Sequence, residues 1–329
     1  MNKKINWGIL GCGAIAHLFA KGLEHVDAAK LFAVGSRTQE KADKFGEEFS
    51  VPHRYGNYEN LIADPDVDII HIATPHPMHK DNTTLCLKSG KPVLCEKPLT
   101  INTADTKEVI SLAREKKLFL MEAMWTRFVP PIVKLRELLH DGTIGEVRML
   151  QADFGHCLTR DPNHRLLNRD LGGGAILDLG GYVVALSFMI FGGPPSRITS
   201  MAHIGKTGVD EQTGMIFGYD QGQLSVVVAA VQTDTADEAV ITGTEGRIKL
   251  HEGWWHGSPM TIWKKGGEIE IIDIPVKGNG YNYEAEAVCR YLNEGKLESD
   301  IMPLDESIQI VQMTDEVRRQ IGIKYSMEL

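Results

Sequence analysis

An apolar run, Ile5–Leu10, leads directly into Gly11-Cys12-Gly13-Ala14-Ile15-Ala16 and then into an amphipathic stretch, Ala14–Leu23, with Ile15, Leu18, Phe19 and Leu23 at helical spacing. This is a strand, a glycine turn and a helix start, in the G-x-G-x-x-A form. Each small residue has a task. Gly11 permits the tight turn, Gly13 lets the backbone approach a pyrophosphate, and Ala16 permits close packing of helix on strand. The helix start presents oriented N–H groups and the positive end of its dipole to an anion. The motif alone is common; its place at the head of a strand–helix–strand unit makes it a dinucleotide-binding signature.

The alternation continues. Strands are expected at 30–35, His53–Tyr55, 68–73, 92–95 and 118–122. Helices are expected at 39–49 (capped by Ser36 or Thr38), Tyr58–Ala63, 79–89 and Thr103–Lys116. Alternating strands and helices imply right-handed crossovers and a parallel, doubly wound sheet, the Rossmann arrangement. After residue 123 the pattern changes. A helix at 130–139, a strand at 147–154 and one long apolar helix at 174–191 precede a series of strand-like segments. These fall at Arg197–Ile204, 213–219, 222–231, 238–242, Gly246–Leu250, 261–265 and 269–274. Consecutive strands joined by short turns imply a large, mostly antiparallel open sheet in an α+β domain. Two helices, 283–294 and 305–321, complete the chain. The expected domains are therefore 1–123, binding NAD(P), and 124–329, binding substrate and serving oligomerisation.

Composition narrows the partners. Lys and Arg number 35 against 44 Asp and Glu, a net charge of −9, which argues against nucleic acid. Five cysteines, odd in number and without a CxxC pair, read as reduced thiols. No segment reaches about 18 uninterrupted apolar residues, and the first residues lack a cleavable-signal layout, so no membrane partner and a cytoplasmic location are expected.

The end of the second strand reads on the cofactor. An NAD site places Asp or Glu there for the ribose 2′-hydroxyl; this chain has Ser36-Arg37-Thr38, with Lys41 one turn later. Arg37 offers a planar fork to a 2′-phosphate, and the hydroxyls of Ser36 and Thr38 can donate. NADP(H) is the expected cofactor, with NAD possible.

Glu96-Lys97-Pro98 after the fifth strand, together with GCGAIA and ATPHPMH (73–79), resembles the Gfo/Idh/MocA family of oxidoreductases. EAMWTRF (122–128) and GGGAILDLGGY (172–182) resemble its branch of dihydrodiol and NADP-dependent D-xylose (aldose) dehydrogenases. The resemblance spans essentially the whole chain. It implies a hydride transfer between nicotinamide and the carbinol or carbonyl carbon of a small substrate, a sugar or cyclic diol. It also implies a homodimer or homotetramer built through the open sheet. Two alternatives stay open, a catalytically silent NADP-binding regulator and a reductase of another carbonyl or imine.

Lys97 ends a parallel strand, where ligands bind in such sheets, and its ammonium can hydrogen-bond a substrate oxygen and stabilise charge developing on it. Asp178 and Tyr182 lie four residues apart on one expected helix and share a face. Tyr182, standing where much of the family has His, is the expected acid/base. A phenol titrating near about 10 needs a neighbouring cation to favour phenolate, and Lys97 can supply it. Asp178 either orients the substrate or pairs with Lys97. The resemblance further puts Thr74 and Pro75 beside the ribose, and His76, His79, Glu96, Trp125 and Arg127 around the cofactor. Trp125, Phe154 and Trp254, with Trp255, line an apolar pocket, and Tyr281 and Tyr283 match more loosely. Asp161 and His164 in a polar loop can hydrogen-bond a polyol. No metal is expected. His76 and His79 are three apart, with no HExxH and no Cys pair.

Overall fold

The computed structural model describes residues 3–328. The chain forms two compact units, and the division is not a single cut. The first unit comprises residues 1–100, 104–128 and 276–307; the second comprises 101–103, 129–275 and 308–329. A boundary after residue 123 therefore misses the return of 276–307 to the first unit. The reason is packing. In that returning segment the Trp7 indole donates to Cys289 Sγ at 3.4 Å, and Trp125 stacks on Tyr281 with ring centroids 4.7 Å apart.

The first unit holds β1 (Ile5–Leu10), α1 (Ala14–Leu23), β2 (Ala29–Gly35), α2 (Gln39–Glu48), β3 (His53–Tyr55), α3 (Tyr58–Ala63), β4 (Ile69–Ile72), α4 (His79–Lys88), β5 (Val93–Glu96), most of α5 (Thr103–Lys116) and β6 (Leu120–Ala123). Its six strands are all parallel, in the order β3-β2-β1-β4-β5-β6. The order reverses between β1 and β4, and in such a sheet ligands bind at the carboxyl ends beside that reversal. β4, β5 and β6 are buried at every position, as strands covered on both faces must be.

The second unit contains α6 (Pro130–His140), β7 (Val147–Gly155), α7 (Gly181–Phe191), β8 (Arg197–Ile204), β9 (Asp210–Gly218), β10 (Leu224–Ala230), β11 (Ala239–Gly243), β12 (Gly246–Leu250), β13 (Met260–Lys264) and β14 (Ile269–Ile272). The sheet runs β14-β13-β12-β11-β7-β10-β9-β8. Every pair is antiparallel except the central β7 and β10, which pair in parallel because two meanders close on β7 from opposite sides. The last helices are α8 (Tyr281–Asn293), in the first unit, and α9 (Leu304–Ile321), within which the division between units falls.

One expected helix is interrupted. Residues 174–191 are not a uniform α-helix; a wide π-helical turn, Ile176–Gly180, leads into α7. The segment Arg169–Phe191 is long and apolar enough to pass for a membrane span, but most of it is buried inside the protein, as expected of a core helix.

Candidate active site

In the first unit the candidate residues lie at or just beyond the carboxyl ends of the strands. Gly11 follows β1 with φ +104°, the left-handed region that glycine alone adopts cheaply, and its N–H donates to Gly35 O at 2.9 Å. An added Cβ there would lie 3.0 Å from Ala73 O, whereas at Gly13 the nearest atom would be 3.8 Å away. Gly13 caps α1 without a side-chain hydrogen bond, and no acidic residue occupies the first turn. Ala14 is exposed, Ile15 half-buried and Ala16 fully buried against the strand. Bare N–H groups, room at Gly13 and the absent acidic side chain fit a phosphate.

After β2, Ser36 is buried, while Arg37, Thr38 and Lys41 are exposed. The Thr38 hydroxyl accepts from Lys41 N–H at 3.4 Å, making Thr38 the cap of α2. Burial raises the Tyr58 phenol above its ordinary range, and the nearby Arg37 cation opposes that rise. Burial also raises the Cys12 thiol, so the cysteine in the glycine turn stays protonated.

After β4, Thr74 and His76 are buried and Pro75 exposed. His79 is fully buried, with Nε2 2.8 Å from Thr74 O and Nδ1 2.7 Å from Pro98 O. It thus ties the turn after β4 to the turn after β5, and burial holds its pKa below the usual imidazole range. Asn82 donates to the Thr74 hydroxyl at 3.0 Å. Glu96, the last residue of β5, lies 3.2 Å from His71 Nε2, and the His71 ring stacks on Phe19 at 3.8 Å. Lys97, the next residue, is half-buried. Two residues on, Leu99 N–H donates to Glu122 Oε1 at 3.0 Å; burial raises the carboxyl of Glu122. Arg127 is buried, pairs with Glu306 and donates to Ile301 O at 3.3 Å, so part of its fork is spent inside its own unit.

In the second unit the π-helical turn carries buried Asp178, and Tyr182 follows as the second residue of α7. Arg165 donates to Asp178 Oδ1 at 3.3 Å, a partner the sequence did not single out for that carboxylate. Tyr182 packs against Phe154 with centroids 5.3 Å apart, and Phe154 lies 4.9 Å from Trp255 and 6.1 Å from Trp254. Phe154, Tyr182, Trp254 and Trp255 thus share one aromatic cluster within the second unit, whereas Trp125 stacks on Tyr281 in the first. Trp254 is nearly inaccessible and donates to Asp153 O at 2.9 Å. Asp161 and His164 are exposed, and both make local bonds. Asp161 Oδ1 accepts from Asn163 N–H at 3.0 Å, and His164 Nδ1 from Leu166 N–H at 3.3 Å.

The sequence reading gave no role to several buried carboxyls, among them Glu122, Asp210 and Glu284. Glu284 is fully inaccessible, neither oxygen meets a donor, and burial with the nearby charge of Glu96 raises its pKa well above the carboxylate range. Among the described residues no group of three His, Cys, Asp or Glu stands at metal-binding spacing.

Residues 5–124 match the model of the oxidoreductase family with an NAD-binding Rossmann fold, and residues 132–249 match the GFO/IDH/MocA C-terminal domain. The trans-1,2-dihydrobenzene-1,2-diol dehydrogenase of Xenopus tropicalis is 37% identical over 330 residues, covering 97% of this chain and 98% of the relative. The chain belongs to the Gfo/Idh/MocA family of oxidoreductases. Among solved structures, the aldose-aldose oxidoreductase of Caulobacter crescentus, complexed with glycerol, superposes with a TM-score of 0.90 at 24% identity, over 97% of this chain and 98% of that one. The 3-ketoreductase KijD10 of Actinomadura kijaniata, in complex with NADP and TDP-benzene, gives 0.86 at 23% identity, again over 97% and 98%. Both share the Rossmann-plus-open-sheet architecture.

Proposed function

We propose that the protein is an NADP-dependent dehydrogenase that interconverts a hydroxyl-bearing carbon and its carbonyl on a sugar or small cyclic diol. One observation carries the reading: an uncapped helix start after β1 stands beside a second strand that ends in Ser36-Arg37-Thr38, with no carboxylate to repel a 2′-phosphate. The curated relative named for a dihydrodiol and the solved neighbour bound to NADP point the same way. In this reading the N–H groups of Gly13, Ala14 and Ile15 hold the pyrophosphate, and Arg37 and Lys41 hold the 2′-phosphate. Thr74, Pro75, His76 and His79 cover the nicotinamide end, with Glu96, Trp125 and Arg127 fixing the turns around it. NADP supplies the hydride acceptor or donor when bound.

Lys97 donates a hydrogen bond to the substrate oxygen and stabilises negative charge on it. Tyr182 takes or returns the hydroxyl proton, and Asp178 orients the substrate. Phe154, Trp254 and Trp125 offer apolar faces to the C–H side of a ring, while Asp161 and His164 meet its hydroxyls. The enzyme is cytoplasmic in this reading, in keeping with five unpaired cysteines. It assembles as a dimer or tetramer through the open sheet, whose face shows Met201, Ile216 and Val228.

A screen of aldoses and trans-diols with NADP+, followed at the reduced-nicotinamide absorbance, identifies the substrate. Tyr182→Phe should then lower kcat by about 100- to 10,000-fold while NADP+ binding holds. Near-normal turnover would refute the assignment. Arg37→Ala should weaken NADP+ by about 10- to 100-fold and leave NAD+ unchanged. Equal use of both cofactors by the wild type sinks the preference. A light-scattering mass in solution tests the assembly, and a monomer overturns it.

A further inference from the structure

We infer that Asp210, outside the proposed site, is a positioning residue that holds the π-helical turn carrying Asp178 and leading to Tyr182. The inference rests on the functional reading above for its consequence, though not for its geometry. Asp210 is fully buried at the start of β9. Its Oδ2 accepts from Ile176 N–H, the first residue of the turn, at 2.7 Å, and from the Thr213 hydroxyl at 2.6 Å. Two residues beyond Ile176 stands Asp178.

Gly174, just before the turn, leaves room for this carboxylate. Gly174 has φ +115°, and a Cβ on it would lie 2.2 Å from Asp210 Oδ1. Next to it, a Cβ on Gly173 would lie 2.5 Å from Arg165 O and 2.7 Å from Leu166 O, and the Tyr325 hydroxyl donates to Gly173 O at 3.0 Å. The backbone entering the turn is thereby held from three directions, by β9, by the 165–166 segment and by the C-terminal segment. The ionised carboxylate makes stronger hydrogen bonds to Ile176 N–H and the Thr213 hydroxyl than the neutral acid does, while its burial opposes the charge.

Burial pushes the Asp210 carboxyl up to about 6, against the two donated hydrogen bonds. The facing cation is Arg318 on α9, itself paired with Asp315 and Glu328; the Tyr325 phenol is the other titratable group there, raised well above its usual range by burial. Asp178 also contributes its charge at Tyr325. The carboxylate therefore changes state just below neutrality, and its grip on the turn changes with it.

The test compares Asp210→Asn and Asp210→Ala in the full-length enzyme. It reads kcat and KM separately from about pH 5 to about pH 9, together with amide exchange over 174–182. The amide of Asn keeps an acceptor oxygen but never ionises. Asp210→Ala should lower kcat about 10- to 100-fold with KM for NADP+ within about two-fold, and should speed exchange at 176–180 by at least about 10-fold. Asp210→Asn should restore kcat at pH 8 to within about three-fold of wild type and remove the inflection of the wild-type kcat profile near about pH 6. Wild-type kcat in the alanine variant, no rescue by asparagine, or faster exchange spread evenly over β8, β9 and β10 overturns the proposal. If Asp178→Asn and Tyr182→Phe both keep wild-type kcat, the functional reading fails instead. The exchange pattern at 176–180 still decides whether Asp210 holds the turn.

Discussion

Two of the helix entrances built on glycine, at α1 and at the π-helical turn before α7, are finished in opposite ways. At α1 the cap is Gly13, the first turn has no acidic residue and no side chain bonds its N–H groups. At the π-helical turn a buried carboxylate, Asp210, takes the Ile176 N–H at 2.7 Å. The glycines themselves differ in purpose. Gly13 leaves open space, while Gly174 gives way to an atom already present, since a Cβ there would sit 2.2 Å from Asp210 Oδ1. An unfilled helix start leaves N–H groups for an anion to take; a filled one has them already bonded.

Filling the space at Gly174 gives the largest expected effect. Gly174→Ala meets both positive φ and the Asp210 oxygen, and should cost about 3–4 kcal/mol, read as a lower urea midpoint at unchanged slope. Removing the charge from the filled entrance comes next. Asp210 binds its proton more tightly when folded, at about 6 against an ordinary 3.8. Across that window the folded state carries more protons, so raising the pH costs stability. Asp210→Asn escapes that loss. Its stability relative to wild type should rise by about 2–3 kcal/mol between pH 4 and pH 7, measured by urea unfolding at each pH. A flat difference across that range would break the contrast.

Converting the open entrance into a filled one is the sharper trial. Gly13→Asp, at an extended φ of −83° with free space for a Cβ, should weaken NADP+ binding about 100-fold by titration fluorimetry. The same change should stabilise the unliganded protein by about 0.5–1 kcal/mol, so stability and affinity move in opposite directions. The smallest effect belongs to a third entrance with a neutral cap. Thr38→Ala at the start of α2 should cost about 1 kcal/mol in thermal unfolding.

The first unit was legible because its strands and helices differ in period and its binding turn has a compact signature. Residues that end parallel strands, such as Arg37, Thr74 and Lys97, could be named from their place in the chain. Residues 174–191 were harder. A helix apolar on all sides has no phase, so nothing in Ile176–Gly180 distinguishes a π-helical turn from an α-helical one. The parallel pairing of β7 with β10 is likewise unmarked, since each strand reads the same in either direction. Asp210 was invisible because a lone polar residue at a strand start is usually solvated; the consecutive glycines at 173 and 174 were the only hint that something approaches. The return of 276–307 to the first unit depends on pairings such as Trp7 with Cys289, 282 residues apart, which no local pattern encodes.

At the margin of the large sheet, β14 has a neighbour on one side only and displays Ile269 and Ile271 at 63% and 70% exposure. A bare strand with such side chains is a template for adding another chain, and Glu268, Glu270 and Asp273 stand beside the two isoleucines. Those acids act as gatekeepers. A variant neutral at 268 and 270 would lose only the exposed ion pair of Glu270 with Lys264 among the ion pairs described and still be prone to cross-β aggregation at high concentration, so these acids serve solubility in a crowded solution.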